Sequence, residues 1–355
     1  MIFKNIKPLT IGTTLIVFLF VYAFYSALSA PIKLQSQSVF FEIDSGDTYK
    51  KVIDKLKNQG LINETHWLNL YGRLANTSTK IKAGEYLLKD NDNLLSIIDR
   101  FVIGDVYLHP FTIIEGWTKS DLLAKINESS LFSKTDVNYN WTVYLEGITD
   151  KRVIDNPEGL FLPETYFFPK STPVKSVFDL SNKMMLKALK DEWENRDPDL
   201  PLNSPYEGLI LASIIEKETA ITDERPRIAS VFIERLKKNM RLQTDPTVIY
   251  GLGENFNGNL TKKNIRSDTE YNTYTRNGLP PTPIALPSRD SIHATFHPSK
   301  EKNIYFVATG DNDGRHKFSY TKEEHDIAVK EYLYKMKLMD IYKSSEIRVH
   351  KLNEL

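Results

Sequence analysis

At 355 residues the chain has room for an apolar anchor and two compact units, and its 46 basic residues balance 46 acidic ones. No basic field is left to hold a nucleic acid, and short clusters such as Lys237-Lys238 read as solvated helix faces. The absence of Cys excludes a disulfide framework, thiolate metal sites and Cys nucleophiles.

Residues 9–30 carry no charged side chain, and their length matches the roughly 20 apolar residues that cross a bilayer. Lys4 and Lys7 precede them, so the positive-inside rule leaves residues 1–8 in the cytoplasm and everything after Pro31 outside. Ala27-Leu28-Ser29 offers the small residues of a signal-peptide cleavage site, which is the rival reading. The apolar run exceeds the roughly 7–15 residues of a signal peptide's apolar core, which favours a retained transmembrane helix.

Ser38 to Ile43 is apolar and β-prone, Ser45-Gly46-Asp47 makes a turn, and Thr48 opens a helix carrying Val52, Ile53 and Leu56. The pattern returns downstream. Phe41, Ile43, Gly46, Thr48 and Lys55 recur as Phe111, Ile113, Gly116, Thr118 and Lys125, which predicts two related strand-turn-helix units. Between them the sequence predicts a helix near Glu64–Leu74, a strand near Ala83–Leu88 and a helix near Leu94–Phe101. Trp67 and Tyr71 lie at helical spacing, where aromatics more often fill core than meet a ligand.

Asn156 to Tyr166 reads as a loop of turn residues with apolar anchors, either a packed surface loop or a cleft lining. A helix with Val177, Leu180 and Met184-Met185 follows, and Asp197–Pro205 is a Pro-rich break. In the next helix Leu211, Ile214 and Ile215 form an inward stripe that Glu218 continues. A carboxylate there is partly desolvated and near the negative end of the helix dipole, and both effects raise its pKa. That readies a general acid at neutral pH. Glu216 lies roughly 200° round the helix from Glu218, so the two form no carboxylate dyad.

A second helix opens at Asp223-Glu224 and Pro226. After it Gln243, Thr244 and Asp245 bring an amide, a hydroxyl and a carboxylate to one loop. Tyr271-Asn272-Thr273-Tyr274 adds two aromatics and two polar groups ahead of the turn at Gly278-Leu279-Pro280-Pro281. Such a mix suits sugar faces, although Asp245 could equally cap a helix and Tyr271 fill core. His293 and His297 could share a helix face, but Pro298 follows and no acidic third ligand is near in sequence, so no metal site is read. Asp311-Asn312-Asp313-Gly314 lacks the acidic pattern of a calcium loop and predicts a hairpin turn between Ile304–Thr309 and His316–Tyr320. No phosphate-binding loop or serine-hydrolase elbow is present, so no cofactor is expected.

The ordered motifs EKETA, IASVFIERL, RLQTDPTVIYG, YNTYTRNGLPPTPIALPS and HPSKEKNIYFVATGDNDGRHKFSYTKEEH resemble the YceG-like family of endolytic murein transglycosylases. The similarity is clear from about Glu158 to Tyr332. It implies that Glu218, the second Glu of EKET, is the catalytic residue. It also implies substrate contacts from Gln243, Thr244, Asp245, Tyr271, Asn272, Thr273, Tyr274 and Glu158, the last in an E-G-x-x-x-P-x-T segment. The expected fold is α+β: a transmembrane helix, a small LysM-like glycan-binding α+β domain over 31–108, a mixed α/β catalytic domain over 109–345, and a tail over 346–355.

The reaction implied is cleavage of MurNAc–GlcNAc bonds within nascent peptidoglycan strands. One acid suffices, because the MurNAc 6-hydroxyl closes on C1 to give a 1,6-anhydro end. Ordinary glycosidases need two carboxylates. The expected setting is the outer face of the cytoplasmic membrane, with peptidoglycan strands as substrate and peptidoglycan synthases as candidate partners. A muramidase-type hydrolase, or a non-catalytic membrane-anchored glycan-binding scaffold, remains the alternative.

Overall fold

The computed structural model describes residues 8–133, 140–145 and 156–353, with side chains over 12–338 of these. The cytoplasmic expectation for Lys4 and Lys7 lies outside the described residues. Helix α1 (Pro8–Ser29) covers the apolar run. Leu15, Ile16, Phe18 and Tyr22 are exposed along it, as an unshielded apolar helix requires. Its Gly12–Ser29 stretch is long and apolar enough to cross a membrane. Among its described side chains Leu28, near the C-terminal end, is the buried one.

The chain divides into two units, the first comprising residues 1–110 and 167–172, the second 111–166 and 173–355. The first contains β1 (Ser38–Ile43), α2 (Tyr49–Asn58), α3 (His66–Leu74), β2 (Gly84–Lys89) and α4 (Leu94–Ile103). Strands β1 and β2 pair antiparallel from Ser38↔Lys89 to Ile43↔Gly84. That register turns Phe41, Ile43, Tyr86 and Leu88 onto one face, where Val52, Ile53, Leu56, Ile98 and Phe101 cover them. Gly46 supplies the positive φ of the turn, and the Thr48 hydroxyl caps α2 by accepting from the Lys51 N–H. Trp67 and Tyr71 are half-buried and pack against this core. Trp67 also meets Phe20 and Phe24 of α1, each with ring centroids 5.8 Å away, so both aromatics are engaged in packing.

The motif repeats from strand β3 (Leu108–Thr112), which begins in the first unit and ends in the second. This strand leads through Gly116, again at positive φ, to α5 (Lys119–Glu128). Thr118 and Asp121 cap α5 reciprocally, and Phe111, Ile113 and Leu122 are buried where Phe41, Ile43 and Val52 are in the first copy. Short β4 (Phe132–Ser133) follows, then β5 (Thr165–Pro169) and β6 (Thr172–Pro173), which also run across the division, with β3 paired to β5 and β4 to β6. The remainder is mostly helical: α6 (Val174–Glu194), α7 (Pro205–Glu218), α8 (Arg225–Lys237), α9 (Asp245–Leu252), α10 (Lys262–Arg266) and α11 (Arg289–Phe296). The predicted hairpin forms as antiparallel β7 (Tyr305–Ala308) and β8 (His316–Ser319), and α12 (Lys322–Asn353) is the last described element.

Helix α7 is the centre of the second unit. Every side chain from Leu209 to Ile215 is buried, against α8, α11, Leu160, Leu162 and Ile284. A helix apolar all round must be enclosed, and α7 is. Gly208 permits the close approach of α11, because a Cβ there would run into the ring of Phe296. The chain is therefore α+β, with a helical core that fixes the end of α7 in place.

Candidate active site

Helix α7 begins with the Ser204 hydroxyl accepting from the Glu207 N–H and with Pro205 at its first turn. It ends at Glu218, as the apolar stripe predicts. Because α7 is locked by packing on all sides, its last residue is held on a rigid support.

Glu218 is half-buried, and the Thr244 hydroxyl donates a hydrogen bond to its Oε1. Burial pushes its carboxyl above the usual range, against the Thr244 hydrogen bond, and the nearby Asp245 carboxylate pushes the same way. The His316 side chain and the Arg235 guanidinium act weakly in the opposite direction. Arg235 is 7% exposed, donates to the Ile304 carbonyl at 2.7 Å and the Leu242 carbonyl at 2.6 Å, and lies over the Tyr305 ring. Burial lowers its own pKa, against the opposing influence of Tyr305, Tyr274 and Glu218. A carboxyl whose pKa is raised by burial is suited to give up a proton, and a hydroxyl donor on its oxygen stabilises the anion that results.

Glu218 lies on the wall of a cleft of about 870 Å3, also lined by Glu115, Glu164, Glu216, Arg225 and Arg289. The segment Pro163–Thr165, from the loop left open between packing and cleft lining, contributes to this wall. Its neighbours Leu160, Phe161 and Leu162 are fully buried. The loop does both jobs.

Glu216, two residues before Glu218, is turned the other way. Its Oε2 accepts from the Ser288 N–H at 2.9 Å, the Ser288 hydroxyl at 2.5 Å and the Ser291 hydroxyl at 2.7 Å. Its Oε1 accepts from Arg225 at 3.2 Å, and both side chains are about 5% exposed. This carboxylate ties α7 to the start of α11.

The loop residues named from sequence fall into two groups. Thr244, Asp245 and Tyr274 gather at Glu218: Thr244 bonds it directly, and the Tyr274 hydroxyl donates to Asp245 Oδ1 at 2.6 Å. Gln243 is exposed beside them, held at φ 52°. The others support the loop from within. Asn272 is fully buried and donates to the Ile265 and Ser267 carbonyls. The Thr273 hydroxyl accepts from the Thr244 N–H at 3.1 Å. The Tyr271 hydroxyl pairs with Thr282 at 2.8 Å. Glu158 is 2% exposed, and its carboxylate accepts from the Lys119 N–H, the Gly159 N–H and the Tyr250 hydroxyl. These four are engaged in holding the fold.

Three features were not read from sequence. Arg235 continues the inward stripe Ile228–Phe232 of α8 at helical spacing, a signal that could have marked it. His316 reaches the site only through the β7–β8 hairpin, where Glu224 holds its Nδ1 at 2.9 Å. The third concerns His293 and His297, for which no acidic partner is near in sequence. The fold corrects that expectation by bringing Glu192 of α6, 101 residues away, within 3.2 Å of His293.

The model of the YceG-like family matches residues 41–331. An endolytic murein transglycosylase of Bacillus subtilis is 30% identical over 331 residues, covering 88% of this chain and 90% of the relative. One of Streptococcus pneumoniae is 27% identical over 85% of this chain, which spans 60% of that longer protein. Among solved structures, a YceG-like protein of Listeria monocytogenes aligns with a TM-score of 0.51 at 29% identity, covering 82% of this chain and 99% of that one.

Proposed function

Since the chain belongs to the YceG-like family, we propose that it is a lytic transglycosylase that cuts peptidoglycan glycan strands internally. The observation that carries the reading is Glu218: a half-buried carboxyl, raised in pKa and bonded to Thr244, on the wall of a polar cleft. Glu218 protonates the oxygen between MurNAc and GlcNAc as the bond to C1 breaks. As carboxylate it then takes the proton of the MurNAc 6-hydroxyl, whose oxygen bonds to C1. The proton returns to Glu218 and no water is consumed. Arg235 and Thr244 stabilise the carboxylate formed midway, and Asp245 with Tyr274 faces the positive charge developing on the sugar ring. The experiment is product analysis of digested murein. Internal cuts ending in 1,6-anhydro-MurNAc are expected, and reducing MurNAc ends would make the protein a hydrolase.

Because Glu218 acts first as an acid, it must be protonated in the resting enzyme. Its pKa lies above the ordinary carboxyl range, chiefly through burial, so activity should fall as pH rises through that elevated value. A rate that is flat from mildly acidic to mildly alkaline pH would remove Glu218 from this role.

We place the protein at the outer face of the cytoplasmic membrane, held by α1 with its N-terminus inside. The length of the apolar run and the Lys residues before it support this. Tethering would limit cleavage to strands emerging near the membrane, where peptidoglycan synthases work, and so terminate their growth. A form exported with a cleavable signal should then fail to complement in cells while still cutting purified murein. The first unit, with its β1–α2–α3–β2 order and antiparallel pair, is assigned as the LysM-like glycan-binding domain and the second as the catalytic domain.

A further inference from the structure

We infer a zinc-binding site on the second unit, made by Glu192 of α6 with His293 and His297 of α11 and its C-terminal cap. His293 Nδ1 lies 3.2 and 3.1 Å from the two Glu192 oxygens, and His297 Nε2 lies 3.1 Å from Glu192 Oε2. The three donor atoms fall within 4.8 Å of one another. In a tetrahedral zinc centre with bonds of about 2.0–2.2 Å, neighbouring donors sit roughly 3.4 Å apart. The His–Glu192 separations are therefore slightly shorter than zinc requires, and the cluster needs side-chain adjustment rather than backbone movement to accept the ion.

Two imidazoles and a carboxylate are a zinc ligand set, and nitrogen donors disfavour magnesium and calcium, which take oxygen. A carboxylate also lies behind the cluster. The second ring nitrogen of His297 faces Asp197 Oδ1 at 3.8 Å, an ion-pair separation that would have to close for Asp197 to orient a ligating imidazole. Asp197 is itself held, since its N–H donates to the Phe296 carbonyl at 3.0 Å.

The backbone under the cluster is firm. Trp193 packs edge-on against Phe296 with ring centroids 5.9 Å apart, so the residues next to two of the ligands fix α6 against α11. The ligands themselves are open to solvent, with side-chain exposures of 27% for Glu192, 59% for His293 and 27% for His297. An ion can enter freely, and three protein ligands leave a fourth position for water. The bound ion would clamp α6 to α11, the helix whose start holds Glu216. None of these residues lines the cleft of Glu218, so the site is separate from the proposed chemistry.

The test uses the tag-free full chain in detergent micelles, titrated with zinc chloride in chelator-free buffer by calorimetry and equilibrium dialysis. One zinc per chain is expected, with the melting temperature raised by about 5 °C at hundredfold excess over Kd. Magnesium should give neither effect. His293→Gln and Glu192→Gln should lose the stoichiometric uptake while keeping the circular dichroism of the parent. Asp197→Asn should weaken it by roughly 10–100-fold. The inference falls if zinc is not taken up, or if uptake is unchanged in the His293→Gln protein, which would leave the cluster as hydrogen bonds and ion pairs alone.

Discussion

Glu218→Gln is expected to lower glycan cleavage by roughly 10²–10⁴-fold, the contribution of a positioned acid or base. Gln keeps the length and shape of the side chain and can still accept the Thr244 hydroxyl, so the geometry of the cleft should persist. What it cannot do is give up and recover a proton. The same substitution should leave the fold as stable as before, or more so. The folded-state pKa of Glu218 is raised, so the native protein binds more protons than the unfolded chain between the two pKa values. Stability from this group is therefore lost as pH rises through that window, and at neutral pH the carboxyl opposes folding. Removing it relieves that cost. Cleavage assays and thermal melts on the same preparation check both halves. Equal cleavage by variant and parent would refute the assignment of Glu218, and a large fall in melting temperature would show that inactivity came from unfolding.

Much of this arrangement is legible in the sequence, because it is local. The turn at Gly46, the cap at Thr48 and the buried pair Phe41 and Ile43 follow from period and turn chemistry, and so does their second copy at Phe111 to Thr118. The apolar stripe of α7 likewise points Glu218 to the inside before any neighbour is known. What the sequence does not carry is which distant groups meet. Glu192 is invisible beside His293 until α6 packs on α11. Glu158 reads as a cleft carboxylate from its motif, yet the apolar anchors that follow draw it into a buried network with Tyr250. Asn272 and Thr273 share a motif with Tyr274, but turn inward to support the loop while Tyr274 reaches Asp245. Polar residues in one short segment can face opposite ways, and only the packing decides.

Glu216 makes that point with the largest expected effect on stability. Sequence spacing separates it from Glu218, and the fold puts it to a different use, facing three donors from Ser288 and Ser291 and a buried Arg225. Glu216→Leu should destabilise the protein by about 3 kcal/mol, near the lower end for breaking a buried ion pair. The lower end applies because Asp290 at 3.4 Å and Glu115 at 3.7 Å still face Arg225. Both are largely exposed and offer screened compensation. The Ser288 and Ser291 hydroxyls and the Ser288 N–H would lose their acceptor as well, each at a cost of its own. A fall in melting temperature of about 6 °C or more is expected, at roughly 2–4 °C per kcal/mol for a unit of this size. Glu216→Gln retains an acceptor for the serines and loses only the charge facing Arg225, so its fall should be smaller. Below its melting point the Leu variant should still cleave murein, because Glu218, Thr244 and Arg235 do not depend on Glu216 for any hydrogen bond. A Glu216→Leu protein that melts with the parent would mean the network adds nothing to the fold. One that melts early and also loses cleavage at low temperature would mean α7 cannot hold Glu218 in place without its tie to α11.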